Sequence, residues 1–186
     1  GSLALRSVHV IGCGSPGTDG AGVWARSADT LVQDTEFRDN TGDEGAALLS
    51  WDGGTLVVQD SHFEDNVASE QGGAIYGNGD VVGTIEDTDF VGNTAPDRVA
   101  GAVAWHRGAL QITRARFEGN EANLYGGALY AHHVADGVVL EDVAFTGNIA
   151  TGGDGGAIAL AFDAVLQLQG VTLAGNQARD GGAIWA

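Results

Sequence analysis

The sequence of 186 residues has one cysteine, Cys13, no methionine, no lysine and only two prolines. A single cysteine excludes a disulfide within the chain and a zinc site built from several thiolates. No apolar run approaches the roughly 20 residues that a membrane-spanning helix needs. Eight basic residues, all arginine, stand against 25 acidic ones, which gives a net charge of −17. A surface of that sign disfavours nucleic acid and anionic membranes as partners.

Glycine, in contrast, is abundant at 31 of 186 residues, which is more than twice its average usage. It follows no three-residue period, so a collagen triple helix is excluded. Hydrophobic residues make up 44% of the chain. Burial of that many apolar side chains can offset the entropy of ordering, which excludes a disordered acidic tail.

A repeated Phe-x-x-Asn motif gives the sequence its organisation. Its anchors lie 26 to 28 residues apart, and the last copy has leucine for phenylalanine. An earlier copy begins at Val10 and has Cys13 where the others have asparagine. The complete copies are Phe37/Asn40, Phe63/Asn66, Phe90/Asn93, Phe117/Asn120, Phe145/Asn148 and Leu173/Asn176.

A second motif, Gly-Gly-Ala followed by isoleucine or leucine, alternates with the first. It begins at Gly72, Gly126, Gly155 and Gly181, and degenerate copies begin at Gly20, Gly45 and Ala100. Before each phenylalanine anchor, apolar residues alternate with period two, as in a strand with one buried face. No helical period is present.

Short strands and glycine-rich turns in a 27-residue repeat predict an all-β chain, a right-handed parallel β-helix of about seven coils. Three short strands are expected in each coil, and coils stack at about 4.8 Å. A β-propeller is the rival, but its blades need about 40 residues or more. Gly1-Ser2 resembles a cloning scar, so residues 3–186 are expected to form one β-helix domain, a segment of a longer protein.

In such a stack every repeated residue becomes a column along the rod. The asparagines are predicted to form a ladder, because each amide carries a donor and an acceptor. The phenylalanines are predicted to stack in the core, and Cys13 replaces asparagine as a small buried group. The ladder members are Asn40, Asn66, Asn93, Asn120, Asn148 and Asn176.

Acidic residues also form columns, and calcium between carboxylates of adjacent coils is one interpretation. The best local candidates are Asp39, Asp43 and Glu44. A solvated acidic surface is the alternative, since no calcium-loop motif is present. Otherwise the sequence predicts no metal and no cofactor.

The residue after the aliphatic position of each Gly-Gly motif is expected to point outward. It is aromatic in four coils, at Trp24, Tyr76, Tyr130 and Trp185. Such rings can stack on sugars or bury against a partner protein. Alternatively, they shield the strand face or pack under a loop.

Two histidines, His106 and His132, occupy equivalent positions in adjacent coils, and His133 follows directly. Together they suggest a metal site. Without a fixed third ligand, exposed loop histidines are the alternative.

Paired carboxylates at Glu86-Asp87 and Glu141-Asp142 raise the question of a polysaccharide-degrading enzyme. They recur at the position of Gln33-Asp34 and so belong to the repeat. A catalytic site should interrupt the repeat, and none of the common catalytic motifs is present. The sequence therefore predicts a protein that is not an enzyme.

The alternating Gly-Gly-Ala-Ile and Phe-x-x-Asn motifs resemble the repeats of the chlamydial polymorphic outer-membrane proteins, from about Leu3 to Ala186. The resemblance implies a β-helical passenger that is exported through an outer-membrane barrel and serves in adhesion. We expect a secreted or cell-surface (outer-membrane) bacterial stalk or adhesin whose partner is a protein or glycan on a host or neighbouring cell.

The alternative is a carbohydrate-binding or polysaccharide-degrading β-helix. Because a β-helix has unpaired strand edges at both ends, end-to-end self-association is also expected.

Overall fold

The computed structural model describes residues 1–186 and contains 26 short strands and no α-helix. None of its segments is a helix long and apolar enough to cross a membrane. In chain order the strands are β1 (Ser2–Arg6), β2 (His9–Ile11), β3 (Val23–Arg26), β4 (Asp29–Gln33), β5 (Glu36–Arg38), β6 (Thr41–Glu44), β7 (Leu48–Trp51), β8 (Thr55–Gln59), β9 (His62–Glu64), β10 (Val67–Gln71), β11 (Ile75–Asn78), β12 (Val82–Glu86), β13 (Asp89–Val91), β14 (Thr94–Ala95), β15 (Val103–His106), β16 (Ala109–Thr113), β17 (Arg116–Glu118), β18 (Glu121–Ala122), β19 (Leu129–His132), β20 (Val138–Glu141), β21 (Ala144–Thr146), β22 (Ile149–Ala150), β23 (Ile158–Ala161), β24 (Leu166–Gln169), β25 (Thr172–Ala174) and β26 (Ile184–Trp185).

These strands form four parallel sheets that run along the rod. Sheet A has the order β1-β4-β8-β12-β16-β20-β24, and sheet B has the order β2-β5-β9-β13-β17-β21-β25. Sheet C has the order β22-β18-β14-β10-β6, and sheet D has the order β26-β23-β19-β15-β11-β7-β3. Each strand pairs with the equivalent strand one coil away, which confirms the predicted parallel β-helix of seven coils.

The middle coils contain four strands each and not the expected three, and the additional strand of each belongs to sheet C. It lies directly after the asparagine of each middle coil, and its strands are as short as two residues. Strands this short carry too few residues to show the period-two alternation by which the others were recognised. The register between Ala68 and Gln71 is also irregular, which blurs the pattern further.

A core of 30 buried residues fills the space between the sheets. The alternating positions of sheet A point into it, as Val58, Ile85 and Ile112 show with no exposed surface. The phenylalanines stack as predicted, and the centroids of neighbouring rings are 4.6 to 4.9 Å apart. That distance equals the spacing of hydrogen-bonded strands, so one ring per coil makes a continuous stack.

The acidic column three residues before each anchor lies at the corner between sheets A and B. All its members have left-handed backbone conformations, with φ between +48° and +65°. Aspartate and glycine tolerate this region better than most residues, which gives a backbone reason for aspartate to recur there. The column contains Ser7, Asp34, Asp60, Asp87, Arg114, Asp142 and Gly170.

The second glycine of each Gly-Gly pair is required by close packing between coils and not by a left-handed backbone conformation. A Cβ atom added to Gly127 would collide with the backbone of Gly156 and Ile149 in the next coil. Only glycine permits this close approach of two turns. The glycine excess therefore has a steric cause that repeats along the rod.

Candidate functional site

The six predicted asparagines form one continuous hydrogen-bonded ladder. Each side-chain amide except that of Asn176 donates to the side-chain oxygen of the next asparagine, at N···O distances of 2.8 to 3.0 Å. Each amide also donates to the carbonyl of the anchor residue one coil back, as Asn93 does to Phe63 at 2.9 Å. Asn93 and its neighbours in the middle coils are completely buried. The role of the ladder is structural, because it supplies hydrogen-bond partners to polar backbone groups of the turns that have no access to water.

Cys13 lies at one end of this ladder, as the repeat predicts. Its backbone N–H donates to the side-chain oxygen of Asn40 at 3.0 Å, and its thiol is free and half-buried. Because a thiol lacks the N–H₂ group of an asparagine side chain, the ladder of side-chain hydrogen bonds ends at Asn40.

Tyr76 and Tyr130 point away from the core, as expected, but neighbouring residues cover their rings. These rings are only 2% and 9% exposed, and they belong to a second apolar cluster on the outer face of sheet D. Residues that lead into the Gly-Gly turns, such as Val99, cover that face. This arrangement matches the alternative that the rings pack under loops.

The other two members of the column remain accessible. Trp24 is 57% exposed, whereas Trp185 is half-buried and stacks on Tyr125 with 5.4 Å between ring centroids. Tyr125 was missed because it lies outside the repeated motifs. Binding at Trp24 and Trp185 stays a prediction.

The structure does not gather the three calcium candidates into one site. Asp43 accepts hydrogen bonds from the backbone of Gly17 and the hydroxyl of Ser69, and these bonds lower the pKa of its carboxyl. Burial raises the pKa of Glu44, which accepts from Gln71 at 2.8 Å. The carboxylate of Asp39 is 3.2 Å from a guanidinium nitrogen of Arg38. No group of three or more potential metal ligands occurs in the chain.

The histidines are adjacent, as the repeat predicts. The rings of His106 and His132 are 4.7 Å apart, and His132 contacts His133 edge to face. His106 Nδ1 shares a hydrogen bond with the hydroxyl of Tyr76 at 3.0 Å, and its Nε2 is buried without a partner. Burial and the nearby charges of His132, His133 and Arg107 lower the pKa of His106 to about 4. These rings do not converge on a metal-binding geometry.

The paired carboxylates at the end of β12 lie at the surface in contact with an arginine. Arg114 forms ion pairs with both Glu86 and Asp87, and its Nε is 2.9 Å from Asp87 Oδ1. The guanidinium lowers the pKa of the Asp87 carboxyl. The Asp87 carboxyl therefore lacks the raised pKa that a general acid requires.

A feature that the sequence did not reveal lies where sheet D passes into sheet A. The side chain of Phe162 is 78% exposed and stacks on His133 with 4.6 Å between ring centroids. His133, but not Phe162, lines an open depression of about 360 Å³, whose lining also includes Arg107, Asp136 and Asp163. The connections after β19 and β23 are longer than the others at this edge, but their length can be recognised only once the ends of the strands are known.

Comparison with known families identifies the repeat. The family model of the Chlamydia polymorphic membrane protein repeat matches residues 60–78 and 142–161. These two segments are similar to the polymorphic membrane protein repeat. No curated protein and no solved structure gives a significant match.

Each matched polymorphic membrane protein repeat contains one Phe-x-x-Asn and one Gly-Gly-Ala-Ile motif, for example Phe63/Asn66 and Gly72. In the structure this unit runs from the corner after sheet A through sheets B and C into sheet D. The repeat therefore includes the ladder, the phenylalanine stack and the tight glycine turn. His133 and Phe162 lie outside both matched segments.

Proposed function

We propose that this chain is a non-enzymatic β-helix of a bacterial surface or secreted protein, which acts as a stalk or adhesin passenger. It presents a lateral face to a protein or glycan on a host or neighbouring cell. The observation that carries the proposal is the match to polymorphic membrane protein repeats in a chain that folds as an uninterrupted parallel stack. Coils of nearly constant length suit a rigid rod, since each contacts only its neighbours.

The distribution of charge supports a role in binding rather than catalysis. Six of the eight arginines pair with carboxylates of the neighbouring coil or the same strand, as Arg116 does with Asp89 and Glu118. Such pairs fix side chains along the outer faces of the rod without forming a cleft. A net charge of −17 keeps the rod soluble and repels polyanions.

The proposal is tested in the bacterium that encodes the chain. Antibodies raised against the purified chain should stain intact cells, and mild protease treatment of intact cells should remove the signal. Beads coated with the chain should adhere to host or neighbouring cells more than beads coated with an unrelated acidic protein. Staining only after permeabilisation, or equal adhesion of the two bead types, would contradict the proposal.

End-to-end association is a further part of this proposal. The outer edges of β1 and β24 pair with no other strand of sheet A, and such edges are templates for pairing between chains. Light scattering at millimolar protein should show elongated oligomers that grow with concentration. A strict monomer at that concentration would contradict it.

A further inference from the structure

One turn of the rod lacks the glycine that the equivalent turns have. The first residue of the Gly-Gly motif has a φ between +53° and +72° in every coil, and in the fourth coil this residue is Ala100, with a φ of +58°. The left-handed conformation is unfavourable for a residue with a Cβ atom. The equivalent residues of the other coils are Gly20, Gly45, Gly72, Gly126, Gly155 and Gly181.

The position of Ala100 is also sterically tight. A Cβ atom added to Gly72 would lie 2.2 Å from the carbonyl oxygen of Ile75, and one added to Gly126 would lie 2.2 Å from that of Leu129. Ala100 carries such a Cβ atom at the equivalent position and is completely buried. The turn at Ala100 is therefore strained, whereas glycine avoids this strain in the neighbouring coils.

Residues 96–100, here called the cover segment, lead into this turn and lie against the outer face of sheet D. Val99 belongs to the same apolar cluster as Tyr76. The backbone N–H of Val99 donates to the carbonyl of Glu70 at 3.0 Å, and the guanidinium of Arg98 is 3.2 Å from the Glu70 carboxylate. These few polar contacts and the buried cluster hold the cover segment in place.

The ring of His106 is buried beside this cluster and is incompletely bonded. Its Nδ1 shares a hydrogen bond with the hydroxyl of Tyr76 at 3.0 Å, and its Nε2 has no partner. The charged or titratable groups that face the ring are Tyr76, Arg98, Arg107, Tyr130, His132 and His133. A proton on His106 would therefore add a positive charge beside two arginines and two other histidines.

Three carboxylates also act on this face, and each already has a partner. They are Glu44, Glu70 and Asp163, with Gln71, Arg98 and His133 as their respective partners. Burial, followed by the charges of the neighbouring histidines and arginines, lowers the pKa of His106 to about 4. Burial also lowers the pKa of His132. The closed arrangement thus excludes a proton that an exposed His106 would bind.

We propose that the cover segment is an acid-sensitive latch, which opens as the pH falls and uncovers the aromatic outer face of sheet D. In the closed state His106 is neutral and Ala100 is strained. In the open state the imidazole binds a proton in water and the turn relaxes. Because only the open state binds this proton, acid favours opening.

The size of the effect follows from the two protonation equilibria of His106. Its pKa is about 4 in the closed state and about 6.5 in water. Between pH 7.5 and pH 5.0 the equilibrium between closed and open states should therefore shift by about 25-fold towards the open state. The inference does not depend on the proposed surface function, since it concerns the isolated chain.

Hydrogen exchange of the purified chain, measured by mass spectrometry at pH 7.5 and pH 5.0, tests the proposal. After correction for the intrinsic pH dependence of exchange, the amides of Val99 and Ala100 should exchange about 25-fold faster at pH 5.0. The amides of β16 and β17, in sheets A and B, should stay at least tenfold more protected than the cover segment at both pH values.

Two variants separate the contributions of the histidine and the strained turn. His106→Gln, which cannot take up a proton, should remove most of the acid-induced acceleration in the cover segment. Ala100→Gly supplies the residue of the other coils and should slow exchange of the cover segment about tenfold at both pH values.

Four results would overturn the inference. They are protection of the cover segment equal to that of sheets A and B, no acceleration at pH 5.0, unchanged acceleration in His106→Gln, and exchange of Ala100→Gly as fast as that of wild type. Any of these results would leave the surface function standing, because hydrogen exchange does not measure exposure on cells or adhesion.

Discussion

The indole of Trp105 lies in the space that Gly83 leaves empty in the core. Trp105 is completely buried, and a Cβ atom added to Gly83 would meet its six-membered ring. The positions equivalent to Gly83 in the neighbouring coils are Leu56 and Leu110. A Cβ atom at Gly77 would meet the same ring. One large residue thus requires two glycines in the coil beside it.

Gly83→Leu should therefore destabilise the protein, although leucine is the residue of both neighbouring coils. Overpacking of this kind costs about 1–3 kcal/mol or more, because the indole has no room to move. Trp105→Ala alone should cost about 3–5 kcal/mol through the cavity it leaves. The free energy of unfolding is measured by urea titration with circular dichroism.

The double variant Gly83→Leu/Trp105→Ala is the control for this relationship. Because the leucine fills part of the cavity, the double variant should be more stable than the sum of the two single effects predicts. Additive effects would show that the two positions do not share one space.

The asparagine ladder gives a second prediction. Asn93→Ala removes the hydrogen bonds to Phe63 and Asn120 and leaves the backbone N–H of Asn66 without its acceptor. Since each unsatisfied buried group costs about 1–3 kcal/mol, the loss of stability should exceed about 2 kcal/mol. Thermal and urea unfolding measure it.

Asn78→Ala is the matched control, because that half-buried asparagine lies outside the ladder. Asn176→Ala should fall between the two, since Asn176 is half-buried and donates to Phe145 but to no further ladder amide. Equal effects at Asn93 and Asn78 would contradict a structural role for the ladder.

A feature of this fold is visible in the sequence only where its residue recurs in every coil. The ladder and the phenylalanine stack were predictable, because a residue that recurs in every coil must form a column. The burial of Tyr76 and Tyr130 was not, because Val99 and other cover residues come from segments that vary between coils. Phe162 was invisible for the same reason, since a single exposed ring leaves no periodic trace.

A third prediction distinguishes two reasons for glycine in this fold, the close approach of two backbone segments and a left-handed backbone conformation. Gly127→Ala places a Cβ atom against the backbone of the next coil, whereas Gly119→Ala meets nothing within 4 Å. Gly119 has a φ of +61°, so its substitution should cost only about 1–2 kcal/mol of conformational strain. Gly127→Ala should cost more and broaden the unfolding transition. If Gly127→Ala proves the milder change, the steric interpretation of the Gly-Gly pair is wrong.

The buried histidine gives a pH dependence with a definite sign. The folded pKa of His106 is about 4, whereas the unfolded value is about 6.5. Between these values the unfolded chain binds a proton on this ring and the folded chain does not. The free energy of unfolding should therefore fall as the pH is lowered from about 6.5 towards 4.

His106→Gln should flatten this dependence between pH 5 and 6.5. His62→Gln, at a more exposed ring that lies 3.6 Å from the carboxylate of Glu64, is the matched control for the removal of one histidine. The slope is measured from urea midpoints across the pH range. Identical slopes for His106→Gln and wild type would contradict the assignment.

The end of the ladder offers a stabilising change. Cys13→Asn places an amide where the repeat has one, and its N–H₂ group can donate to the side-chain oxygen of Asn40. That oxygen now accepts from the backbone of Cys13 alone. One added hydrogen bond should raise the free energy of unfolding by about 0.5–1.5 kcal/mol. Cys13→Ala is the control and should give no gain. If alanine stabilises as much as asparagine, removal of the thiol and not extension of the ladder is responsible.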